Sequence, residues 1–404
     1  MNYFKMKIKK KDIFIAALII IFLAAIVGGC IFLASRRNNT APQKAINLYR
    51  PSWGNTIIYD HLGIHVINPE IPDINPLSID LSEFGIDNGY EVLRAGNVDG
   101  INLYLCHSYY AGLTESEALF FRYNLITSQV SKIEFTSNYD TLSYYNFYAH
   151  GGYLYYFARN TEDRLSTGLE PGYLCRVPVS GGKEETLAEY TSGSEHIVCV
   201  VGDTVITSNG SKISSYDVSK KKKSELFNAE KSGFRLIGAE RSYYYDGKLY
   251  FLAEKDMPSI LEADEGFKED WKTPDDYLIA LDIKSKKWEK VFDFPVSLFC
   301  VTEDKIYYVK KKYRLIPLKE FALSINDVII AYIDSSICSQ PIGGGEESVH
   351  YTNENISITE IFSIRDGKMC CMIDSSNKTY YDYGIRFATI DFTTGNITEF
   401  DMQK

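Results

Sequence analysis

The sequence has few of the residues that build metal or catalytic centres. Its six histidines, His61, His65, His107, His150, His196 and His350, are scattered along 404 residues. Only His61 and His65 are close, and their i,i+4 spacing would unite them on a helix, whereas here a glycine-containing turn separates them. No metal site is expected. The C-x-x-C, G-x-S-x-G, P-loop and EF-hand patterns are absent, so thiol redox chemistry, an acyl-transfer elbow, a phosphate cradle and a calcium loop have no local signature. No cofactor is expected. Ser180-Gly181-Gly182-Lys183 matches S-x-x-K formally, but the nucleophile of that motif opens a helix, and Gly-Gly here belongs to a hairpin turn. Clustered bases are also missing from most of the chain. Setting aside Lys5, Lys7, Lys9, Lys10, Lys11 and Asp12 before the long apolar run, and Arg36 and Arg37 after it, leaves 36 basic and 52 acidic residues, a net charge of −16. Nucleic acid is therefore not an expected partner.

What the sequence has in quantity is aromatic and β-branched residues. Thirty-one Tyr and 22 Phe against 6 Met, with abundant Ile, Val and Thr, is the composition of many pleated strands. One stretch departs from this. Residues 13–34 read IFIAALIIIFLAAIVGGCIFLA without a charge, long enough at 1.5 Å per residue to cross a hydrocarbon core of ~30 Å. Lysines crowd its N-terminal flank, so the positive-inside bias keeps residues 1–12 in the cytoplasm and sends residues 38–404 across the membrane. The expected arrangement is a single-pass membrane anchor, a linker over residues 35–45 and an extracytoplasmic domain from residue 46. The alternative is a lipoprotein, because Val27-Gly28-Gly29-Cys30 resembles a lipobox with Cys30 as the lipidated residue. The seven cysteines beyond Cys30 are odd in number and sit at apolar strand positions, which predicts buried free thiols rather than disulfides.

A local pattern recurs seven times: a turn rich in Gly, Asp or Asn followed by an aromatic-aliphatic strand. Aligning the first apolar residue of each copy gives Ile57, Leu103, Leu154, Val205, Leu249, Ile306 and Met369, spaced by 46, 51, 51, 44, 57 and 63 residues. Between the copies lie alternating segments closed by turns, such as YLCRVPVSGGK and RFATIDFTTGN. Period-2 alternation ended by Gly, Ser or Lys is a hairpin signal. Each unit then holds four antiparallel strands, and such a repeat of about fifty residues predicts an all-β, seven-bladed β-propeller, with six blades as the alternative.

Asp246-Gly247-Lys248-Leu249-Tyr250-Phe251 and Leu174-Cys175-Arg176-Val177-Pro178-Val179-Ser180-Gly181-Gly182, with weaker copies across residues 46–404, resemble a bacterial surface β-propeller domain of unknown function that is similar to the YWTD propeller of the low-density-lipoprotein receptor. The YWTD tetrad itself is absent, and His350-Tyr351-Thr352-Asn353 is its nearest relic. The resemblance implies a propeller displayed on a cell surface. The expected function is a binding or scaffolding module for a protein, peptide or envelope glycan. The alternative is an extracytoplasmic hydrolase or lyase using dispersed carboxylates at the propeller mouth. The binding face is expected where long insertions interrupt the repeat, in the connections between second and third strands. Residues 255–276 carry eight acids and three lysines, and Lys310-Lys311-Lys312-Tyr313-Arg314 opens a second long segment running to Ser336. Trp271, Lys311, Tyr313, Tyr109, Tyr110 and Arg159 are the candidate partner-binding residues, with Trp271 the expected anchor.

Overall fold

Alternating apolar residues closed by tight turns fold as antiparallel hairpins from residue 46 onward in the computed structural model. The structure describes most of residues 92–399, with short stretches at 46–47, 57–60, 63–66, 77–79 and 84. Outside the description lie residues 1–45, the rest of the chain before residue 92, and residues 111–115, 125, 161–162, 164–170, 192–194, 238–241, 256–275, 318–327, 354–355, 375–384 and 400–404. The apolar run 13–34 is among these. Among the described residues no helix is long and apolar enough to cross a membrane.

Five antiparallel sheets hold four consecutive strands each, and a sixth holds four consecutive strands with two more, Ile46–Asn47 and Phe234–Leu236, paired onto it. Blade 1 comprises Val92–Asp99, Asn102–Tyr110, Ser116–Asn124 and Val130–Lys132. Blade 2 comprises Thr141–His150, Tyr153–Arg159, Gly172–Pro178 and Glu185–Tyr190. Blade 3 comprises His196–Val201, Thr204–Ser208, Lys212–Asp217 and Lys222–Asn228. Blade 4 comprises Tyr243–Tyr245, Lys248–Lys255, Asp276–Asp282 and Trp288–Lys290, with Phe234–Leu236 also paired to its second strand. Blade 5 comprises Leu298–Val301, Lys305–Pro317, Val328–Pro341 and Ser348–Asn353. Blade 6 comprises Ser357–Arg365, Lys368–Asp374, Ile385–Asp391 and Ile397–Glu399.

The expectation of seven equal blades is therefore corrected to its alternative of six. The first sequence unit forms a three-stranded sheet, Ile57–Asp60, Gly63–Val66 and Leu77–Ile79, with no first strand among the described residues. The described strand that precedes this unit, Ile46–Asn47, pairs instead with Tyr243-Tyr244 at the edge of blade 4, so it adds to that sheet and not to a seventh blade.

Neighbouring blades meet along their first strands, in blades 1 and 2, 2 and 3, 4 and 5, and 5 and 6. Those strands are irregular, with register shifts between Ala95 and Val98, between Leu142 and Phe147, and between Ile197 and Cys199. Bulges re-aim side chains and tighten twist, which suits strands that must fan around an axis. At the first of these, Gly96 has no Cβ because one there would collide with the Phe147 ring of blade 2. Beside it, the Asn97 side chain clamps the blade 2 backbone, donating to Ala149 O and accepting from Ala149 N at 2.7 Å each. The core lies between the sheets. Tyr104, Phe120, Phe147, Leu154 and Tyr156 fill the space between blades 1 and 2. Further apolar clusters join blades 2, 3 and 4 and then blades 4, 5 and 6. Each fully buried Leu or Phe contributes about 1.5–3 kcal/mol, so the seams between blades hold most of the stability. All seven cysteines beyond Cys30 are buried and free, as their apolar positions predicted.

Candidate functional site

Strand direction separates two kinds of connection. First and second strands are joined by short turns such as Gly151-Gly152 and Asp246-Gly247, whose residues all have positive φ. This is the backbone that tight hairpins require. Connections from second to third strands leave from the opposite ends, together with those that lead to the next blade. They include residues 160–171, 256–275, 318–327 and 375–384; blade 3, with only Asn209-Gly210-Ser211 there, is the short exception. The face bearing the long connections is the loop face.

The sequence-nominated residues fall on this face unevenly. Tyr109 and Tyr110 end the second strand of blade 1, opposite Glu117 and Ser116. Arg159 ends the second strand of blade 2, opposite Thr141 on the first. Trp271 lies outside the described residues. Lys311 and Tyr313, expected in a connecting segment, lie instead inside a strand, opposite Ser335 and Tyr332. The β-branched run Val328-Ile329-Ile330-Ala331-Tyr332-Ile333 explains why this stretch pairs rather than loops. The first strand of blade 5 accompanies this hairpin only as far as Val309, and the fourth only as far as Ser335. From Lys312 to Pro317 the second strand pairs with the third alone, so a two-stranded arm projects about 20 Å at 3.3 Å per residue.

A second feature was not foreseen. A cavity of about 370 Å³ opens between blades 1 and 2, lined by the blade 1 residues Ala118, Leu119 and Phe120 and by the connection from Lys132 to Leu142. Along that connection burial alternates: Ile133, Phe135, Ser137 and Tyr139 turn inward while Glu134, Thr136, Asn138 and Asp140 are exposed. Phe135 packs on Phe120 and Tyr156 with centroids 6.2 and 5.7 Å apart. Tyr139 stacks on Tyr173 at 4.6 Å and 24°. Its hydroxyl lies 2.8 Å from Thr186 Oγ1, and burial raises its pKa above the usual value.

A buried carboxylate fixes this wall. Glu184, 3% exposed, follows the Gly181-Gly182 turn of blade 2. Ser137 Oγ donates to its Oε2 at 3.0 Å, and Asn138 N and Nδ2 donate to its Oε1 at 3.0 and 3.2 Å. The Tyr156 hydroxyl donates to Oε2 as well. Phe135-Thr136 pairs in parallel with Gly182-Lys183, and Gly182 N donates to Glu134 O at 2.9 Å. Gly181 must be glycine, since its φ is +85° and a Cβ would strike Glu134 O. Burial and the nearby Glu184 charge push the Cys175 thiol far above its ordinary pKa, so it stays protonated and unreactive. The same device recurs in blade 5, where the Tyr308 hydroxyl donates to Glu347 after Gly343-Gly344-Gly345. The repeated Gly-Gly-x-Glu spacing was the available sequence signal for both.

Between blades 2 and 3 burial raises the Glu195 carboxyl and lowers the Lys223 ammonium, which lies 3.6 Å from the centroid of the Tyr190 ring. Burial also pushes the Tyr190 hydroxyl up to about 12. Among the described residues no group of three His, Cys, Asp or Glu side chains is arranged to hold a metal.

No protein-family model matches the chain, and no curated protein matches it in sequence. Among solved structures it is similar to the tricorn protease, with 11% identity and a TM-score of 0.45, over 83% of this chain and 33% of that one. It is also similar to the uncharacterized protein lmo1340 from Listeria monocytogenes EGD-e, with 10% identity and a TM-score of 0.40, over 74% and 79% of the two chains. The β-propeller domain of the Trilobed protease from Pyrococcus furiosus matches at 11% identity and a TM-score of 0.32, over 76% and 97%. The chain thus spans a third of the length of the tricorn protease. Its own strand order carries the assignment: the described chain is an all-β propeller with six four-stranded antiparallel blades.

Proposed function

We propose that this protein is a membrane-anchored, extracytoplasmic binding or scaffolding module that engages a protein, peptide or envelope glycan through its loop face. The observation that carries the reading is the asymmetry of the two faces. One is closed by tight turns, and the other bears the long connections and the blade 5 arm. Loops and projections held on a rigid scaffold are the usual place of recognition. The arm has the features of a docking element: its second strand carries Lys310, Lys311, Lys312, Tyr313 and Arg314, and its third is an uncharged β-branched run from Val328 to Ile333. Lys311 and Tyr313 belong to the proposed contact surface, together with Tyr109, Tyr110 and Arg159 at strand ends of blades 1 and 2 and with Trp271 in the connection 256–275. The lysine-flanked run at 13–34 supports the address, with residues 1–12 inside and the propeller outside, and the resemblance to surface propellers points the same way.

Two experiments test this reading. Protease added to intact spheroplasts should digest the propeller and leave a small membrane fragment; protection of the whole chain would overturn the orientation. For the face, residues 312–333 are replaced by a short Gly-Ser turn and, separately, Lys311 and Tyr313 by Ala. Both variants should fold like the parent and lose partners captured from envelope extract. Full retention of every partner would remove the arm from the binding surface.

A further inference from the structure

We propose that the tight-turn face of blades 3 and 4 rests on the anionic lipid headgroups of the membrane that holds the anchor, through Lys221, Lys222, Lys284, Lys286 and Lys287, and so turns the loop face outward. The proposal goes beyond the binding-module reading and rests on it only for the membrane anchor.

Three observations support it. The first is charge. Because strands alternate in direction, the turns joining third and fourth strands lie on the same face as the tight first turns. In blade 3 this turn reads Asp217-Val218-Ser219-Lys220-Lys221-Lys222-Lys223, and in blade 4 Asp282-Ile283-Lys284-Ser285-Lys286-Lys287, with net charges of +3 and +2. Asp203 and Asp246, in the first turns of the same blades, lower the sum to +3. The equivalent turns of the other four blades are neutral or negative, and the chain beyond residue 37 carries −16. Lys220 is bound to Asp217 at 2.6 Å. Lys221, Lys222, Lys284, Lys286 and Lys287 stand at exposed positions, and no ion pair engages them among the described residues. A lysine cluster beside a membrane anchor is the pattern that anionic headgroups attract.

The second is the backbone. Blades 1, 3, 4 and 6 build this turn alike: the side chains of Asn124, Asp217, Asp282 and Asp391 accept from backbone N–H groups two or three residues on. The fourth residue after each is left-handed, and these are Ser128, Lys221, Lys286 and Gly395, with φ of +56°, +51°, +60° and +70°. Blade 6 uses the glycine that such a backbone favours. Blades 3 and 4 hold lysine there against that preference, which points to a use for the charge outside the fold.

The third is the path of the chain. Ile46–Asn47 runs antiparallel to the first strand of blade 4, with Asn47 opposite Tyr243 and Ile46 opposite Tyr244. That strand leads into the Asp246-Gly247 turn, so the chain followed from Asn47 back through Ile46 heads for the tight-turn face of the same blade. The linker of residues 35–45 reaches about 40 Å at full extension, which keeps this face near the headgroups and lets a modest charge act at high effective concentration.

The test reconstitutes the full chain in nanodiscs of phosphatidylcholine, with and without phosphatidylglycerol, and measures the rate at which an amine-reactive label modifies each lysine. Lys221, Lys222, Lys284, Lys286 and Lys287 should react about tenfold more slowly in the anionic discs, and high salt should remove the difference. Lys231 and Lys255, at exposed positions on the loop face, should react alike in both. Lys221→Gly/Lys286→Gly removes two charges and suits the left-handed backbone, so its turns stay folded, and Lys222, Lys284 and Lys287 should lose most of their protection. Equal labelling of the five lysines in both discs would overturn the proposal, as would protection of Lys231 and Lys255 instead. Protection by added polyphosphate but not by phosphatidylglycerol would overturn it in favour of a soluble polyanion. Flotation reads the anchor separately: a chain that does not float with neutral discs lacks it, and the lysine face is then judged by whether added phosphatidylglycerol vesicles protect it. The Lys311→Ala/Tyr313→Ala variant should label like the parent at the five lysines, so failure of the arm as a docking element is distinguished from failure of the lipid contact.

Discussion

In blade 2, Tyr156 stands opposite Cys175, and its hydroxyl reaches Glu184, two residues past a Gly-Gly turn. In blade 5, Tyr308 stands opposite Cys338, and its hydroxyl reaches Glu347, again two residues past the last glycine of a turn. The chemistry is shared, but the surroundings are not. Glu184 is 3% exposed and also accepts from Ser137 and Asn138 of the incoming connection, whereas the Glu347 side chain is 28% exposed and turns to Lys310 of its own blade at 2.8 Å. One carboxylate fastens two blades and sets a cavity wall; the other ends a hairpin. The difference shows that the repeat supplies a tyrosine-carboxylate pair and that the neighbouring connection decides what the pair holds.

The comparison breaks first on deletion of the carboxylates. Glu184→Ala leaves the Tyr156 hydroxyl and the Ser137 and Asn138 donors without their acceptor in a buried site, and should cost about 3 kcal/mol in urea denaturation. Glu347→Ala, at a partly solvated pair, should cost about 1 kcal/mol or less. Equal losses would mean that the two pairs do the same work. Removing only the hydroxyls sharpens the contrast. Tyr156→Phe should lose about 1–2 kcal/mol and Tyr308→Phe about half as much, measured the same way.

Acid offers a smaller contrast. His350 lies at the seam of blades 5 and 6, stacked on Phe392 at 5.0 Å and close to Tyr307, with Nε2 2.7 Å from Ser339 Oγ. Burial and then the Lys305 charge hold its pKa below the ordinary 6.5. The unfolded chain therefore binds more protons than the fold, and stability falls as pH drops through 6.5 toward the lowered value. Glu347 acts in a lower window: hydrogen bonds from Lys310 and Tyr308 hold its carboxyl below 4.5, so its contribution is complete above that pH and lost beneath it. His350→Gln should reduce the drop in urea midpoint between pH ~7.5 and ~5.5 and leave the drop below pH ~4.5 intact. An unchanged profile above pH ~5.5 would remove His350 from the account. Reductant should have the smallest effect, none on the melting temperature, because the seven thiols beyond Cys30 are buried and free. A fall of more than about 10 °C would signal a disulfide.

The strands and their grouping in fours were legible in the sequence because period-2 alternation and Gly-Asp turns are local signals. Leu103, Leu154, Val205, Leu249, Ile306 and Met369, aligned by pattern alone, all lie in second strands and are all buried. The blade count failed at Ile57, because the strand before it, Ile46–Asn47, pairs with Tyr243-Tyr244 of blade 4, a partner too far along the chain for a local pattern to show. The arm was misread because a lysine run suggested a solvated connection, while the pairing that makes Lys311 and Tyr313 part of a ladder comes from residues some twenty positions later. The cavity was illegible for a related reason. Its walls come from blade 1 and from the connection into blade 2, and the residue that fixes them, Glu184, is 47 positions from Ser137. No local window contains both.

Hydrogen exchange of the propeller with and without a saturating captured partner tests the central claim most directly, because it reads both faces at once. The account predicts added protection in the blade 5 arm, Lys312–Pro317 and Val328–Asp334, with the tight turns at Gly151-Gly152, Asp246-Gly247 and Asp366-Gly367 exchanging as before. Protection at those turns with an unchanged loop face would contradict it.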